Sequence, residues 1–245
     1  MDYGSINRTV TESINKDYCY GIPNNQLKKI SDLQFEYRMT GISQVKDAAN
    51  MALEFDVEIY YPYNSEGNYD SDGRKFIGKM HLILFNVKEC MEYDERLEDM
   101  FLDGYDRILF NRVFDYERNY YREEWAASLG RLHSENILYL EQLFLMKEFR
   151  CCEIGWLIMK ELEVRFYGMY GFLITEALPM QHRVDAPTEE MWKLDSMEKD
   201  YDKAEVYYFL FLRDCGLSQH QDTRLFFRNG APLAEMIMCN NTRLR

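Results

Sequence analysis

The amino-acid sequence predicts a mixed α/β (α+β) fold, in which helices flank one central sheet. The nearly continuous apolar run Ile137–Leu145 has the length of a buried strand, and a helical stripe of apolar residues follows it after a short polar loop. Two β-rich runs, 57–63 and 75–85, flank a turn-rich loop and predict a long-looped hairpin. After the helix, the short apolar run 171–175 predicts a strand parallel to the central one.

The region before the central strand begins with a polar stretch, 1–31, which predicts an N-terminal extension with weak structure. Residues 33–39 predict a first strand, and residues 43–53 predict a helix. The charged and aromatic stretch 88–132 has helical periodicity, so we expect an insertion of two or three helices before the central strand.

The region after strand 171–175 predicts a helix over 201–213, which ends at Gly216, and a final strand over 225–228. No repeat, low-complexity tract or long linker divides the chain. We therefore expect a single domain over 32–230 that is followed by a C-terminal tail over 231–245.

The charge balance restricts the partners of this chain. Its net charge of −13 disfavours nucleic acid and suits a cationic small molecule or a basic protein, although solubility alone also accounts for it.

The six cysteines form neither a zinc spacing nor a secreted disulfide framework, and the four histidines lack metal-ligand spacing. No apolar run approaches the roughly 18–20 residues of a membrane span. We therefore expect a cytoplasmic protein with neither a metal nor a membrane contact.

The junction over 137–155 combines two features of an active site. The buried strand runs into a helix N-terminus, where unpaired backbone N–H groups and the helix dipole favour an anion of phosphate size. Within the strand, Glu141 is isolated among apolar residues and is the candidate base of the site. The alternative is a structural carboxylate that pairs with an arginine or a backbone donor.

These residues resemble the GNAT superfamily of acyl-CoA-dependent N-acetyltransferases, and within it the spermidine/spermine acetyltransferases. The family pattern is a strand that ends in apolar-x-apolar, an aromatic residue, and then Arg/Gln-x-x-Gly-x-Gly/Ala at the start of a helix. In this chain the pattern reads Leu143-Phe-Leu145, then Phe149, then Arg150-Cys-Cys-Glu-Ile-Gly155. Upstream, Tyr139-Leu-Glu141 resembles the Tyr-Leu-Glu tract of the polyamine enzymes, and the likeness covers roughly residues 136–228.

The resemblance implies that the chain binds acetyl-CoA and transfers the acetyl group directly to an amine, which Glu141 helps to deprotonate. It implies that the strand backbone pairs with the pantetheine arm, and that Arg150 and the backbone N–H groups after it bind the pyrophosphate. Alternatively, Arg150 is a surface arginine at a turn, and Gly155 is a packing glycine early in the helix. The implied cofactor-binding residues are Leu143, Phe144, Leu145, Arg150, Cys151, Cys152, Glu153, Ile154 and Gly155.

The sequence departs from the family pattern at two positions. Glu153 replaces the first glycine of the loop. Leu212 stands where the family often has the tyrosine that protonates the CoA thiolate, and Tyr208, about one helical turn earlier, is the candidate for that acid. We therefore consider two hypotheses. One is an N-acetyltransferase acting on a cationic small molecule or a basic protein; the other is a GNAT-fold protein that has lost transfer activity and works by binding a partner, which could be a second copy.

Overall fold

The computed structural model describes residues 33–41, 52–62, 73–93, 95–101, 108–150, 152–182, 191–192, 197–221 and 223–230. The predicted N-terminal extension, the C-terminal tail and Cys151 lie outside these residues.

Strands and helices alternate along the second half of the described chain. The strands are β1 (Gln34–Gly41), β2 (Ala52–Pro62), β3 (Arg74–Phe85), β4 (Phe114–Asp115), β5 (Tyr120–Tyr121), β6 (Ile137–Leu145), β7 (Phe172–Glu176), β8 (Ser218–Gln219) and β9 (Leu225–Asn229). The α-helices are α1 (Val87–Glu92), α2 (Leu97–Met100), α3 (Glu123–Leu129), α4 (Cys152–Arg165) and α5 (Tyr201–Asp214), with short 3-10 turns at Lys147–Phe149 and Met180–His182.

Among the described residues, the strands form a seven-stranded mixed sheet in the order β1-β2-β3-β6-β7-β9-β8. The pairs from β1 to β6 are antiparallel, β6 and β7 are parallel, and β9 pairs antiparallel with both β7 and β8. The predicted mixed α/β class and the predicted parallel strand after the central helix are therefore confirmed. The parallel pair needs a crossover connection, and α4 provides it.

The sheet carries an apolar core on each of its faces, because successive side chains of a strand point to opposite sides. Along β3, Met80, Leu82 and Leu84 point to the face on which α4 and α5 pack, which we call the α4/α5 face. Ile83 and Phe85 point to the other face, where residues of α1, α2 and α3 cover the sheet. We call this second side the insertion face.

The described part of the insertion between β3 and β6 includes α1, α2 and α3, and also a small hairpin, β4–β5, that the helical periodicity did not predict. Its aromatic side chains attach it to the sheet. The rings of Phe101 and Phe110 stack with centroids 4.3 Å apart, and each lies 4.9 Å from the ring of Phe85 on β3. The insertion thus belongs to the core of the insertion face.

The predicted helix over 43–53 is wrong at its C-terminal end, because Ala52 and Leu53 begin β2. The residues after them alternate between buried apolar and exposed acidic side chains, a period of two that only a strand turns into two distinct faces. The rest of that predicted helix lies outside the described residues. No helix within the described parts of the chain is both long and apolar enough to span a bilayer.

Candidate functional site

The two parallel strands at the centre of the sheet part after a short ladder. β6 and β7 pair only over Ile137–Tyr139 and Phe172–Ile174, and the hydroxyl of Thr175 then donates a 2.8 Å hydrogen bond to the carbonyl of Leu140. On its other side, β6 remains paired with β3 as far as Leu145. The last residues of β6 therefore continue past the parallel ladder towards the start of α4.

A β-bulge in β6 positions Glu141. Gln142 pairs with His81 and Leu140 pairs with Leu82, so Glu141 is the extra residue between them. A bulge re-aims a side chain, and that of Glu141 is 29% exposed. The prediction of an isolated acid on a buried strand is therefore wrong. By alternation Glu141 follows Ile137 and Tyr139 on the insertion face, and its carboxylate keeps contact with water.

Glu141 lies at one end of a line of three titratable side chains from three strands. The Nδ1 of His81 is 2.9 Å from Oδ1 of Asp56, and its Nε2 is 3.7 Å from Oε2 of Glu141. The His81 side chain is 22% exposed, and that of Asp56 is 59% exposed. The three side chains border an open cleft of about 200 Å³, which is lined by Asp56, Lys79, Met80, His81, Glu141, Gln142 and Phe144.

The loop after β6 uses Arg150 to hold the chain together. Its Nε donates a 2.9 Å hydrogen bond to the carbonyl of Leu145, and its Nη2 donates to the carbonyl of Trp192. The indole of Trp192 stacks on the buried ring of Phe144, with centroids 5.3 Å apart at 23°. Arg150 is thus not a surface arginine at a turn, because its guanidinium forms hydrogen bonds within the protein. It ties the end of the central strand to a segment beyond β7.

The start of α4 is packed tightly against α5. Ile154 and Gly155 are buried, and a side chain on Gly155 would overlap two ring carbons of Phe211. The alternative of a packing glycine is therefore what the geometry favours at this position. The backbone of Cys152 and Glu153 forms the first turn of α4, but their side chains lie outside the described part of the structure.

The candidate acid Tyr208 lies on α5, half-buried, with its ring parallel to that of Phe211 at 5.9 Å. Leu212 is fully buried in the core of the α4/α5 face. His81 lies between Met80 and Leu82 along β3, so it points to the insertion face, on the opposite side of the sheet from α5. The structure therefore brings Glu141 together with His81 and Asp56, and does not place Tyr208 in this group.

His81 and Asp56 were not predicted as members of the site. His81 is a polar residue in the apolar run of β3, which was the available signal, whereas Asp56 is one of the alternating acidic residues of β2 and gives none. Their proximity to Glu141 depends on the register that pairs Asp56 with His81, and on the bulged pairing of β6 with β3. Neither is visible in the order of the residues.

The described residues contain no group of three or more His, Cys, Asp or Glu side chains that could hold a metal ion. Comparison of the chain with models of protein families, with curated proteins and with solved structures found no match.

Proposed function

We propose that this chain is a cytoplasmic N-acyltransferase of the GNAT type, which transfers an acetyl group from acetyl-CoA directly to an amine. The observation that carries the proposal is the parting of β6 from β7 after Tyr139, with Glu141 two residues further along β6. An acyl donor bound along the parted strand would hold its thioester close to a carboxylate that faces an open cleft.

The donor side of the proposal rests on the end of the central strand. An extended pantetheine arm can pair with the backbone of Leu143–Leu145 as an additional strand does, a common form of ligand binding at a sheet edge. The strand leads within a few residues to the N-terminus of α4, whose first N–H groups suit a diphosphate. Because the guanidinium of Arg150 donates to two carbonyls, the backbone N–H groups supply most of this interaction.

The acceptor side of the proposal rests on Glu141. Alkyl amines carry a proton near neutral pH, with pKa values of about 10.4, so a base must remove that proton before the nitrogen can attack. Glu141 faces a cleft that also contains the carboxylate of Asp56, and the chain has a net charge of −13. Both features support an amine on a cationic small molecule or on a basic protein as the acceptor.

The leaving thiolate needs a proton, and Tyr208 is the candidate that supplies it. Its support is limited to its position on α5, the helix that contacts the start of α4 through Phe211 and Gly155. A Tyr208→Phe variant should then slow the reaction most for thioesters with a poorly acidic leaving thiol, since those need the proton most.

The second hypothesis, a GNAT-type protein that binds a partner without transfer activity, is supported by two specific features. The guanidinium of Arg150 is engaged by backbone carbonyls, and Leu212 is buried where the family often has its acid. Neither residue then serves the cofactor in the way that the family resemblance implies.

Calorimetric titration of the full chain with acetyl-CoA and with CoA separates the two hypotheses. The enzyme hypothesis expects saturable binding of both, and release of free CoA thiol when a polyamine, an aminoglycoside or a basic peptide is added. A dissociation constant of about 1 mM corresponds to a binding free energy of about −4 kcal/mol. If no heat of binding is seen up to about 1 mM acetyl-CoA, only the hypothesis of a partner-binding protein remains.

The role of Glu141 is tested by a Glu141→Gln variant. Loss of a general base lowers kcat by about 10²- to 10⁴-fold, and the affinity for acetyl-CoA should remain unchanged because the carboxylate faces the acceptor cleft. The matched control is Glu117→Gln, which removes an exposed carboxylate from the turn between β4 and β5 and should retain full activity. An equal loss of turnover and of acetyl-CoA affinity in Glu141→Gln would contradict its role as base.

A further inference from the structure

Only one of the three aligned titratable side chains has a role in the proposed function. The three side chains lie side by side across the sheet, from Asp56 on β2 through His81 on β3 to Glu141 on β6. The imidazole therefore lies between the two carboxylates. We propose that His81 is a positioning residue that takes the acceptor's proton from Glu141 and, together with Asp56, passes it to water. This inference rests on the proposed function and extends it to the path of the proton.

The two distances give the path its direction. An ionised carboxylate only accepts hydrogen bonds, so the contact of 2.9 Å to Asp56 assigns the ring proton to Nδ1 of His81. Nε2 then presents its lone pair to Glu141. Their separation of 3.7 Å exceeds a hydrogen bond, as expected for two acceptors that face each other. A proton on either group converts this contact into a charge-assisted hydrogen bond.

The proton balance of acetyl transfer requires such an outlet. The ammonium of the acceptor gives one proton to Glu141, and the neutral nitrogen then attacks the thioester carbonyl, so that a C–N bond forms and the C–S bond breaks. The sulfur takes a proton from Tyr208 and leaves as the thiol, and the second proton of the same nitrogen replaces the one that Tyr208 gave. One proton per turnover therefore remains on Glu141 and must leave before the next ammonium binds.

His81 can return Glu141 to its ionised state. Transfer of the proton to Nε2 produces an imidazolium that lies between two carboxylates, and each of them stabilises the positive charge. The Nε2 proton then passes to water at the exposed part of the imidazole, whose side chain is 22% exposed, while Nδ1–H stays hydrogen-bonded to Asp56, so that the resting form of His81 is restored. The charged groups that surround the imidazole are Asp56 with Glu54 and Glu58 beside it on β2, Lys79 on β3 and Glu141 on β6.

A His81→Asn variant of the full chain tests the path. Asparagine retains a donor for Asp56 but cannot accept the proton. We expect kcat to fall by about 10- to 100-fold near pH 7, with the KM for acetyl-CoA unchanged. The loss should shrink to about threefold near pH 10, where a substantial fraction of the alkyl amine is already neutral and needs no base. Asp56→Asn should show a smaller loss with the same recovery, and the matched control His133→Asn, at an exposed histidine, should behave as wild type.

The outcomes distinguish this inference from the proposed function. A wild-type protein that transfers acetyl groups while His81→Asn is unaffected, or impaired equally at every pH, overturns the proton path and leaves the acyltransferase standing. A wild-type protein without acetyl-CoA-dependent transfer overturns both.

A second measurement needs neither a variant nor turnover. Long-range ¹H–¹⁵N NMR of the full chain at about pH 8 identifies which imidazole nitrogen of the resting protein carries the proton. The proposal expects the Nδ1–H form of His81. The Nε2–H form would overturn it, because the lone pair that receives the proton from Glu141 would then be absent.

Discussion

Gly155 lies directly against the aromatic ring of Phe211, so that α4 and α5 approach each other at the point where α4 begins. The ring occupies the volume that any side chain at position 155 would need. The contact fixes the N-terminal turn of α4, and with it the backbone N–H groups that the proposed function assigns to the diphosphate.

A Gly155→Ala variant should destabilise the protein. Its methyl group would meet the ring of Phe211, and such overpacking costs about 1–3 kcal/mol, which exceeds the gain of about 1 kcal/mol from replacing a helical glycine. Urea unfolding measures the effect. Val164→Ala, at an exposed position of the same helix, is the control, and the double variant Gly155→Ala/Phe211→Leu should recover part of the loss. A Gly155→Ala protein more stable than wild type would contradict the packing role.

An Arg150→Lys variant should release the segment that contains Trp192. The single ammonium nitrogen of lysine cannot occupy the positions of both Nε and Nη2, so at least one of the hydrogen bonds to the carbonyls of Leu145 and Trp192 should be lost. A lost hydrogen bond from a charged donor costs at most about 1.5–3 kcal/mol. We expect a red shift of tryptophan emission and faster proteolysis between β7 and α5. Arg112→Lys, at an exposed arginine, is the control.

An Arg150→Gln variant, which removes the positive charge, separates two roles of Arg150. If the guanidinium only ties these segments together, the affinity for acetyl-CoA should fall little once the variant is folded. If wild type instead binds acetyl-CoA more tightly than the variant, and this difference decreases steeply with added salt, Arg150 contacts the diphosphate directly. That outcome would refute the purely structural role.

The stability of the protein should fall below about pH 6.5 in a way that depends on His220. This buried ring stacks on Trp125 with centroids 3.9 Å apart at 7°, and burial lowers the pKa of His220, while Glu124 acts in the opposite direction. A lowered pKa means that the unfolded chain binds the proton more readily. The contribution of His220 to stability is therefore complete above the pKa that this residue has in the unfolded chain. It is lost as the pH falls towards the lower pKa of His220 in the folded protein.

Unfolding free energies of wild type and His220→Phe between about pH 5 and pH 8 measure this contribution. Phenylalanine retains the stacking on Trp125 but does not titrate. The advantage of wild type over the variant should decrease at low pH, with a slope of at most about 1.4 kcal/mol per pH unit. The control His133→Phe, at an exposed histidine, should show no such slope. A difference that stays constant over the whole range would refute the prediction.

Much of the fold could be predicted because its strongest signals are local. The apolar run of β6, the stripe of α4 and the short strand β7 each follow from the periodicity of a few consecutive residues. The error at Ala52 and Leu53 arose because the predicted helix over 43–53 extended into the first two residues of β2. The hairpin β4–β5 was missed because its two strands have only two residues each, too few to display a period.

The candidate site was predicted only in part. Glu141 was chosen as the unusual acid of an apolar strand, but its place beside His81 depends on how β6 pairs with β3, including the bulge at this residue. The role of Arg150 was also open, because the carbonyl of Trp192 that it binds lies beyond β7 in the chain. His81 and Asp56 became neighbours of Glu141 only through the register of three strands.

The sequence by itself determined the class of the fold, the parallel relation of β6 and β7 and the identity of the acid beside their junction, since each depends on residues close together in the chain. Only the tertiary structure decided that this acid faces a cleft with His81 and Asp56, and that Phe211 fills the space beside Gly155. The physical reason is that strand register and helix contacts are interactions between distant segments, and no local pattern of residues specifies which distant atoms will meet.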